Sequence, residues 1–486
     1  MVVGSGMGGL AAAADLARRG ADVTVCERAA TPGGKMRRVQ AGAAEIDAGP
    51  TVFTMRHIFE GLFADAGERM EDHLDLLPAS LLARHAWRSG GRLDLFADVA
   101  RSAEAIGEFA GAGEARAYLQ FCARSADIYR TLAGPFIAGQ RPSPLDLVRR
   151  MGLRGMPALW RTAPMRTLWG ALGDHFADTR LRQLFGRYAT YVGASPWQAP
   201  ATLMLIAHVE QDGVWQVRGG IHRVALAIRA LAERQGAAFR FGAEVAEVLV
   251  ERGRVVGVAL ANGERLPADA VVFNGDISAL PAAQRPVPVT NRHRRSLSAV
   301  TWCMQARTSG FDLAHHNVFF AEDYAEEFDA IFRRRTIAAA PTVYVCAQDR
   351  GEAGGVVDGT PERLLALVNA PADGDLAPLG PAALDDLAGR TFGLLQACGL
   401  QVARLAEVTT TPDGFHALFP ATGGALYGRA NHGVMGSFSR AGSAGRVPGL
   451  YLAGGSVHPG PGIPMAAMSG RLAAARALDD FAARRR

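Results

Sequence analysis

The chain opens Met1-Val2-Val3-Gly4-Ser5-Gly6-Met7-Gly8-Gly9, continues with helical apolar spacing from Leu10 to Arg19, turns at Gly20, and resumes as Asp22-Val23-Thr24-Val25-Cys26-Glu27. This is the order strand, G-x-G-x-x-G, helix, strand, acid. Each position has a mechanical reason. Gly4 permits the tight turn, Gly6 lets a pyrophosphate approach the backbone, and Gly9 lets the helix lie close on the sheet. The helix N-terminus offers free N–H groups and a partial positive charge to phosphate. Glu27 is placed to accept hydrogen bonds from both hydroxyls of an adenosine ribose. A lone glycine motif would be weak, because any glycine-rich turn can pack a helix on a sheet; here the motif has its full context. The first strand is short, with three residues before Gly4, where five or six is usual.

Around that motif lie 486 residues, 49% hydrophobic and 20% charged, with a net charge of +5. This is an ordinary globular composition, long enough for two or three domains with large cores. Lys35 is the only lysine; the other basic residues are arginines, as a GC-rich coding sequence would favour. The basic excess is small and scattered, so nucleic-acid binding is not expected. The five cysteines (Cys26, Cys122, Cys303, Cys346 and Cys398) are widely spaced and form no CxxC. That argues against a disulfide framework and a structural zinc site, and no metal is expected. No signal peptide is evident and no run of about 18 uncharged apolar residues occurs, so no transmembrane helix is expected.

Which dinucleotide binds is decided after the second strand. Arg28-Ala29-Ala30-Thr31-Pro32-Gly33-Gly34-Lys35-Met36 adds a glycine pair and a cation close behind the acid, and Asp47-Ala48-Gly49-Pro50-Thr51 follows. Near the C-terminus, Gly449-Leu450-Tyr451-Leu452-Ala453-Gly454-Gly455 reads as a buried strand ending in glycines. Ser456-Val457-His458-Pro459-Gly460-Pro461-Gly462-Ile463-Pro464-Met465 leads from it into a small-residue helix. Between these ends, a helix from Ile221 to Arg234, a hairpin turning at Arg252-Gly253 and a strand ending at Phe273-Asn274-Gly275 return the chain to the nucleotide unit.

These stretches resemble the flavoprotein class of FAD-dependent amine oxidases, protoporphyrinogen oxidases and carotenoid desaturases. The H-P-G-x-G-I-P string at 458–464 looks like the bacterial phytoene-type carotenoid desaturase family. The stretches 47–55 and 454–462 look most like its 1-hydroxycarotenoid 3,4-desaturase branch, with phytoene desaturase as the nearest alternative. The resemblance implies an α/β protein: a Rossmann-type FAD-binding domain, a mixed-sheet substrate domain and a helical, membrane-facing insertion. We place the FAD domain at 1–85, 215–278 and 430–486, the substrate domain at 86–110 and 279–429, and the helical subdomain at 111–214. It further implies FAD contacts at Gly4, Gly6, Gly9, Glu27, Arg28, Gly33, Gly34, Lys35, Gly49, Pro50, Thr51, Val245, Gly454, Gly455, Ile463 and Met465. Lys35 would set a compact cation beside the diphosphate. FAD is expected to be non-covalent, because no cysteine lies in the C-terminal motif. Related flavoproteins often carry an acid just after those glycines, where this chain has Ser456.

A desaturase of this kind removes a hydride and a proton from adjacent carbons of an acyclic carotenoid. No second dinucleotide fingerprint is evident, so oxygen or a quinone is the expected electron acceptor. His458 is the candidate proton acceptor, or else a loop-shaping hydrogen-bond donor. Between Leu147 and Gly173 lie Arg149, Arg150, Arg154, Arg161 and Arg166 with no acid, interleaved with Trp160 and Trp169. This is either a solvated arginine face or a segment that lies on a membrane surface. A substrate soluble only in lipid favours peripheral binding to the cytoplasmic side. Alternative activities are a flavin amine oxidase, a carotenoid isomerase and a non-enzymatic prenyl-protein carrier; the absent flavin cysteine and the 458–464 string argue against the first and the flavin loops against the last, while product spectra distinguish the isomerase, which does not lengthen the chromophore.

Overall fold

The computed structural model describes residues 1–352, 354–356 and 359–484, excluding the side chains of 153 and 154. Its nucleotide unit is a five-stranded parallel sheet in the order Ala238–Phe241, Thr24–Glu27, Val2–Val3, Val271–Phe273, Leu450–Leu452. Val3 pairs with Cys26 on one side and Phe273 on the other, and Phe273 pairs with Leu452. Consequently Gly4, Asn274 and Gly454 leave the sheet at its carboxyl edge as neighbours. That edge is where open α/β sheets bind ligands.

The first helix, Met7–Arg18, is buried almost all round: Leu10 and Ala11 through Ala14 are at most 1% exposed. Its alanines and glycines allow this, because the C-terminal helix Ile463–Arg484 packs hard against it. A Cβ on Gly470 would stand 1.9 Å from the Gly8 carbonyl oxygen. The helix His222–Arg234 covers the same face of the sheet. Its amino end is held by Asp47, whose carboxylate accepts from the N–H groups of Ile221 at 2.8 Å and His222 at 3.3 Å.

The hairpin forms as expected, Val245–Glu251 with Arg254–Leu260. Arg252 and Gly253 both have positive φ, at 49° and 76°, as its tight turn requires.

The substrate unit is built on a seven-stranded mixed sheet, ordered Leu400–Thr410, Ser298–Gly310, Glu362–Ala370, Val343–Ala347, His316–Phe320, Leu81–Trp87, Arg92–Phe96. Its first strand starts at Leu81, ahead of the expected boundary at 86. The long strand Ser298–Gly310 alternates: Val300, Trp302 and Met304 pack toward the helix Pro381–Ala397, while Cys303 packs beneath the small hairpin Arg38–Asp47. A helical layer between Val99 and Asp212 joins the other end of this sheet in one core, with Phe121, Phe176, Phe185 and Tyr188 among its buried rings. The helix Val99–Ala110 packs through Ala103 and Ile106 both on this layer and on the sheet strand Arg92–Phe96. No helix of the described residues is long and apolar enough to cross a membrane.

Candidate cofactor and substrate site

One cavity of about 1320 Å³ runs from the parallel sheet to the helical layer. Of the residues expected at the cofactor, Gly4, Gly6, Glu27, Arg28, Gly33, Gly34, Lys35, Gly49, Pro50, Thr51, Val245, Gly454, Gly455, Ile463 and Met465 all line it. Two expected residues do not. Gly9 lies behind the motif, where a Cβ would meet the Gly4 carbonyl oxygen at 2.0 Å; its function is to let the helix and strand close up. His458 is 1% exposed and sits behind its loop. Its Nε2–H donates to the Gly139 carbonyl at 3.1 Å, and its ring meets Phe136 edge-on. Burial pulls its pKa down to about 4. Pro459, Gly460 and Pro461 form the cavity wall while the imidazole is turned away, so His458 shapes the loop and is not placed to take a proton from substrate.

The sheet end of the cavity is a cradle of backbone. The first helix starts at Gly6 with no side-chain cap, leaving its first-turn N–H groups facing the cavity with Gly6, Met7 and Gly8. Gly33 has φ 117°, and a Cβ there would lie 2.3 Å from the Met36 carbonyl oxygen. Its N–H donates to Ser5 at 2.9 Å, and His222 Nε2–H fixes the same turn by donating to the Pro32 carbonyl at 2.9 Å. The Glu27 carboxylate accepts from the Ser5 N–H and hydroxyl at 2.6 and 2.8 Å, and from Ala29 N–H at 2.8 Å. Arg28 reaches across to the Ala417 and Leu418 carbonyls, strapping that turn over the adenosine side.

The electrostatics of this end ask for an anion. Lys35 is enclosed, hydrogen-bonded to the Leu426 carbonyl with its Nζ 5.4 Å from the Phe419 ring centre. Burial pulls its pKa down to about 8; Asp276 supports its charge and Arg440 opposes it. Arg440 is buried, donates to the carbonyls of Tyr427, Arg429 and Gly455, and is pulled down to about 10, chiefly by burial. Both cations line the cavity and both lean on the single carboxylate of Asp276. A diphosphate beside them would supply the missing negative charge. The donor set therefore fits FAD: a ribose acid, a glycine cradle, two helix N-termini and two buried cations.

Asp276, Arg440 and Asn274 were not among the expected residues. Asp276 lies beside Gly428 and Ser456, so an acid from a different strand end stands next to the C-terminal motif. Asn274 Nδ2 donates to the Gly4 carbonyl at 3.2 Å, and its side chain is wedged among Gly6, Gly8, Gly9 and Gly454. Its position at the end of the strand Val271–Phe273, next to the central strand, was the only signal for it.

Beyond Thr51 the walls turn apolar: Leu132, Phe136, Leu159, Leu205, Ile206 and Val209. Leu147, Thr162 and Pro164 also face inward, so the segment Pro144–Arg161 and its turn form part of the wall. The helix breaks at Gly152, which has φ 65°. On the outside, Leu145, Trp160 and Met165 are 58%, 67% and 69% exposed. The arginines are less free than the sequence suggests. Arg149 approaches Asp146 and Arg161 approaches Asp127, both at 3.8 Å; Arg166 pairs with Asp174; and Arg150 donates to the Pro135 carbonyl. Folding brings in acids that flank the acid-free run. The side chain of Arg154 lies outside the described residues.

The matching family model is the flavin-containing amine oxidoreductases, over residues 7–478. A hydroxyneurosporene desaturase of Rubrivivax gelatinosus is 56% identical over 98% of this chain and 92% of its own length. A second protein of that name, from Cereibacter sphaeroides, is 46% identical over 100% of this chain and 98% of its own. The chain belongs to the carotenoid desaturase family of FAD oxidoreductases. A redesigned putrescine oxidase shares the fold, with a TM-score of 0.62 at 15% identity, covering 99% of this chain and 98% of that one. The desaturase is thus an enzyme acting on CH–CH bonds, with FAD as its cofactor. Among the described residues, the only cysteine lining the cavity is Cys26, at the adenosine end, away from the C-terminal glycine motif.

Proposed function

We propose that this desaturase introduces the C3–C4 double bond into a 1-hydroxy or 1-methoxy acyclic carotenoid, taken from a membrane surface. The observation that carries this is the continuity of the cavity: one end is a backbone cradle with buried cations, the other an apolar sleeve. The similarity to two hydroxyneurosporene desaturases supports the hydroxylated substrate. FAD, when bound, supplies a hydride acceptor. The protein's part is positional. The cradle with Lys35 and Arg440 would hold the cofactor's diphosphate, and Asp276 supports the charge of those two cations. Leu132, Phe136, Leu159 and Ile206 exclude water and hold the polyene so that one C–H bond is presented at a time. Positive charge developing at the carbon that loses hydride spreads into the adjoining polyene, so an allylic carbon is the favoured donor. The electrons pass on to oxygen or a quinone, a reading supported by the single dinucleotide fingerprint in the chain.

The exposed Leu145, Trp160 and Met165 support membrane docking, because their segment also forms the inner wall of the apolar sleeve. A polyene could then pass from lipid to site without crossing water. Incubation with 1-hydroxyneurosporene and, separately, with phytoene tests the substrate. A red shift with the former and little change with the latter is expected; the reverse would make the enzyme a phytoene desaturase. No red shift with either, with only the isomer composition changed, would make it an isomerase.

A further inference from the structure

The apolar sleeve contains one feature that no hydrocarbon needs. Where it meets the Thr51 loop, Arg187, Tyr191, Glu210 and Tyr344 all face the cavity. Glu210 accepts from the Tyr188 and Tyr191 hydroxyls, each at 2.7 Å, and buries its carboxylate doing so. Arg187 lies with its guanidinium 5.1 Å from the centre of the Tyr191 ring. Its Nε–H has no partner, and no carboxylate among the described residues comes within 4.0 Å of it. Tyr344 closes the group, its hydroxyl 2.7 Å from both Thr51 Oγ1 and His316 Nδ1. An unpartnered donor and a charged group are costly in an apolar sleeve unless they meet a ligand.

Arg187, Tyr191, Glu210 and Tyr344 also enclose, with Val52, a recess of about 10 Å³ that shares these walls with the main cavity. That volume takes one water-sized group and nothing larger. We propose that this recess is the seat of the substrate's tertiary hydroxyl. Arg187 donates to the hydroxyl oxygen, the hydroxyl O–H donates a hydrogen bond to the Glu210 carboxylate, and Tyr191 and Tyr344 hold the pair in place. This rests on the substrate reading above and adds to it an orientation and a basis for selectivity. In a 1-hydroxy carotenoid the oxygen is four bonds, each about 1.5 Å, from C4, so its seat must lie within roughly 5 Å of the reacting bond. The recess lies on the side of the sleeve this requires, because its wall residue Val52 directly follows Gly49-Pro50-Thr51, the loop expected at the cofactor. The hydroxylated end therefore enters first, and the polyene trails along the sleeve toward Leu147 and Leu159. A chain end without the hydroxyl leaves Arg187 unserved, which is how a buried polar seat discriminates strongly between otherwise identical substrates.

The test compares kcat/KM for 1-hydroxyneurosporene and for neurosporene, which lacks the hydroxyl and carries a C1–C2 double bond in its place, in the flavin-loaded enzyme. Three proteins are used: wild type, Arg187→Met and Tyr191→Phe. Wild type should prefer the hydroxylated substrate at least a hundredfold. Tyr191→Phe removes only one oxygen and should retain flavin; its preference should fall about tenfold, with turnover of neurosporene changed less than threefold. Arg187→Met should lose most of the preference. The inhibition constant of the hydroxylated product, which needs no turnover, should weaken by the same factors. Equal losses on both substrates in Tyr191→Phe would show a merely structural cluster and overturn the proposal. Wild-type turnover of both substrates at similar rates would overturn it while leaving the desaturase reading intact. Turnover of neurosporene alone would overturn the substrate reading and the seat together.

Discussion

Replacing Lys35 by methionine should move the flavin-free and flavin-loaded proteins in opposite directions. In the fold its pKa falls from the ordinary 10.5 to about 8, mainly because burial penalises the charge. That gap corresponds to at most about 3 kcal/mol of destabilisation from holding the ammonium charged. The sign follows from proton counting. Between the two values the unfolded chain binds the proton and the fold does not, so the penalty is complete below pH 8, shrinks up to 10.5 and vanishes above it. Methionine keeps much of the side-chain volume without the charge. At pH 7 the flavin-free variant should therefore melt above flavin-free wild type. For an entropy of about 2.1 cal/mol/K per residue the shift is up to about 3 °C, less what the lost Leu426 hydrogen bond returns. With FAD the balance reverses, because the buried charge then faces a diphosphate. Losing a charge-assisted hydrogen bond worth about 1.5–3 kcal/mol weakens FAD binding by tenfold to about a hundredfold. The assay is thermal melting of both proteins, stripped of flavin, at pH 7 and pH 10, with a flavin titration at pH 7. A stripped variant that melts at or below wild type at pH 7 would refute the reasoning, as would FAD retention equal to wild type.

Further outcomes follow from packing and charge elsewhere. Gly470→Ala drives a methyl group onto the Gly8 carbonyl and should cost about 2 kcal/mol or more, read as a lower melting temperature with weaker flavin retention. His85, His432 and His458 are held neutral by burial, at about 3, 4 and 4. All three bind protons only on unfolding as pH falls below about 6.5, so stability should fall between pH 6.5 and 4, at up to about 4 kcal/mol per pH unit. His458→Leu should flatten that slope in acid denaturation curves. His458→Asn should lower kcat less than tenfold, against the 10²–10⁴-fold expected of a general base; a larger loss with flavin retained would restore His458 to catalysis. Trp160→Glu with Leu145→Glu should abolish flotation with anionic liposomes at both low and high salt. A wild-type enzyme that never floats would remove the membrane from the account.

What was legible in the sequence is what short stretches of backbone do by themselves. The glycines at 4, 6, 33, 34, 49, 454 and 455, and Glu27 at the end of its strand, each line the cavity from a short turn whose conformation its immediate neighbours set, so each stretch carries its own local geometry. The amphipathic helix at 222–234 and the hairpin at 252–253 were readable for the same reason. His458 shows the limit of that logic: proximity in sequence put it at the flavin loop, but the path of the loop turns its ring onto Phe136. Charge neutralisation is a sum over space. Asp276 and Arg440 complete the site of Lys35 from more than 200 residues away, and Asp127, Asp146 and Asp174 take up arginines that stand in an acid-free run. The polar cluster of Arg187, Glu210 and Tyr344 joins two helical segments to a distant strand. Local pattern determined that this chain carries a dinucleotide-binding turn; only tertiary packing, which alone decides which charges are buried together, brought Arg187, Glu210 and Tyr344 to one wall of the cavity.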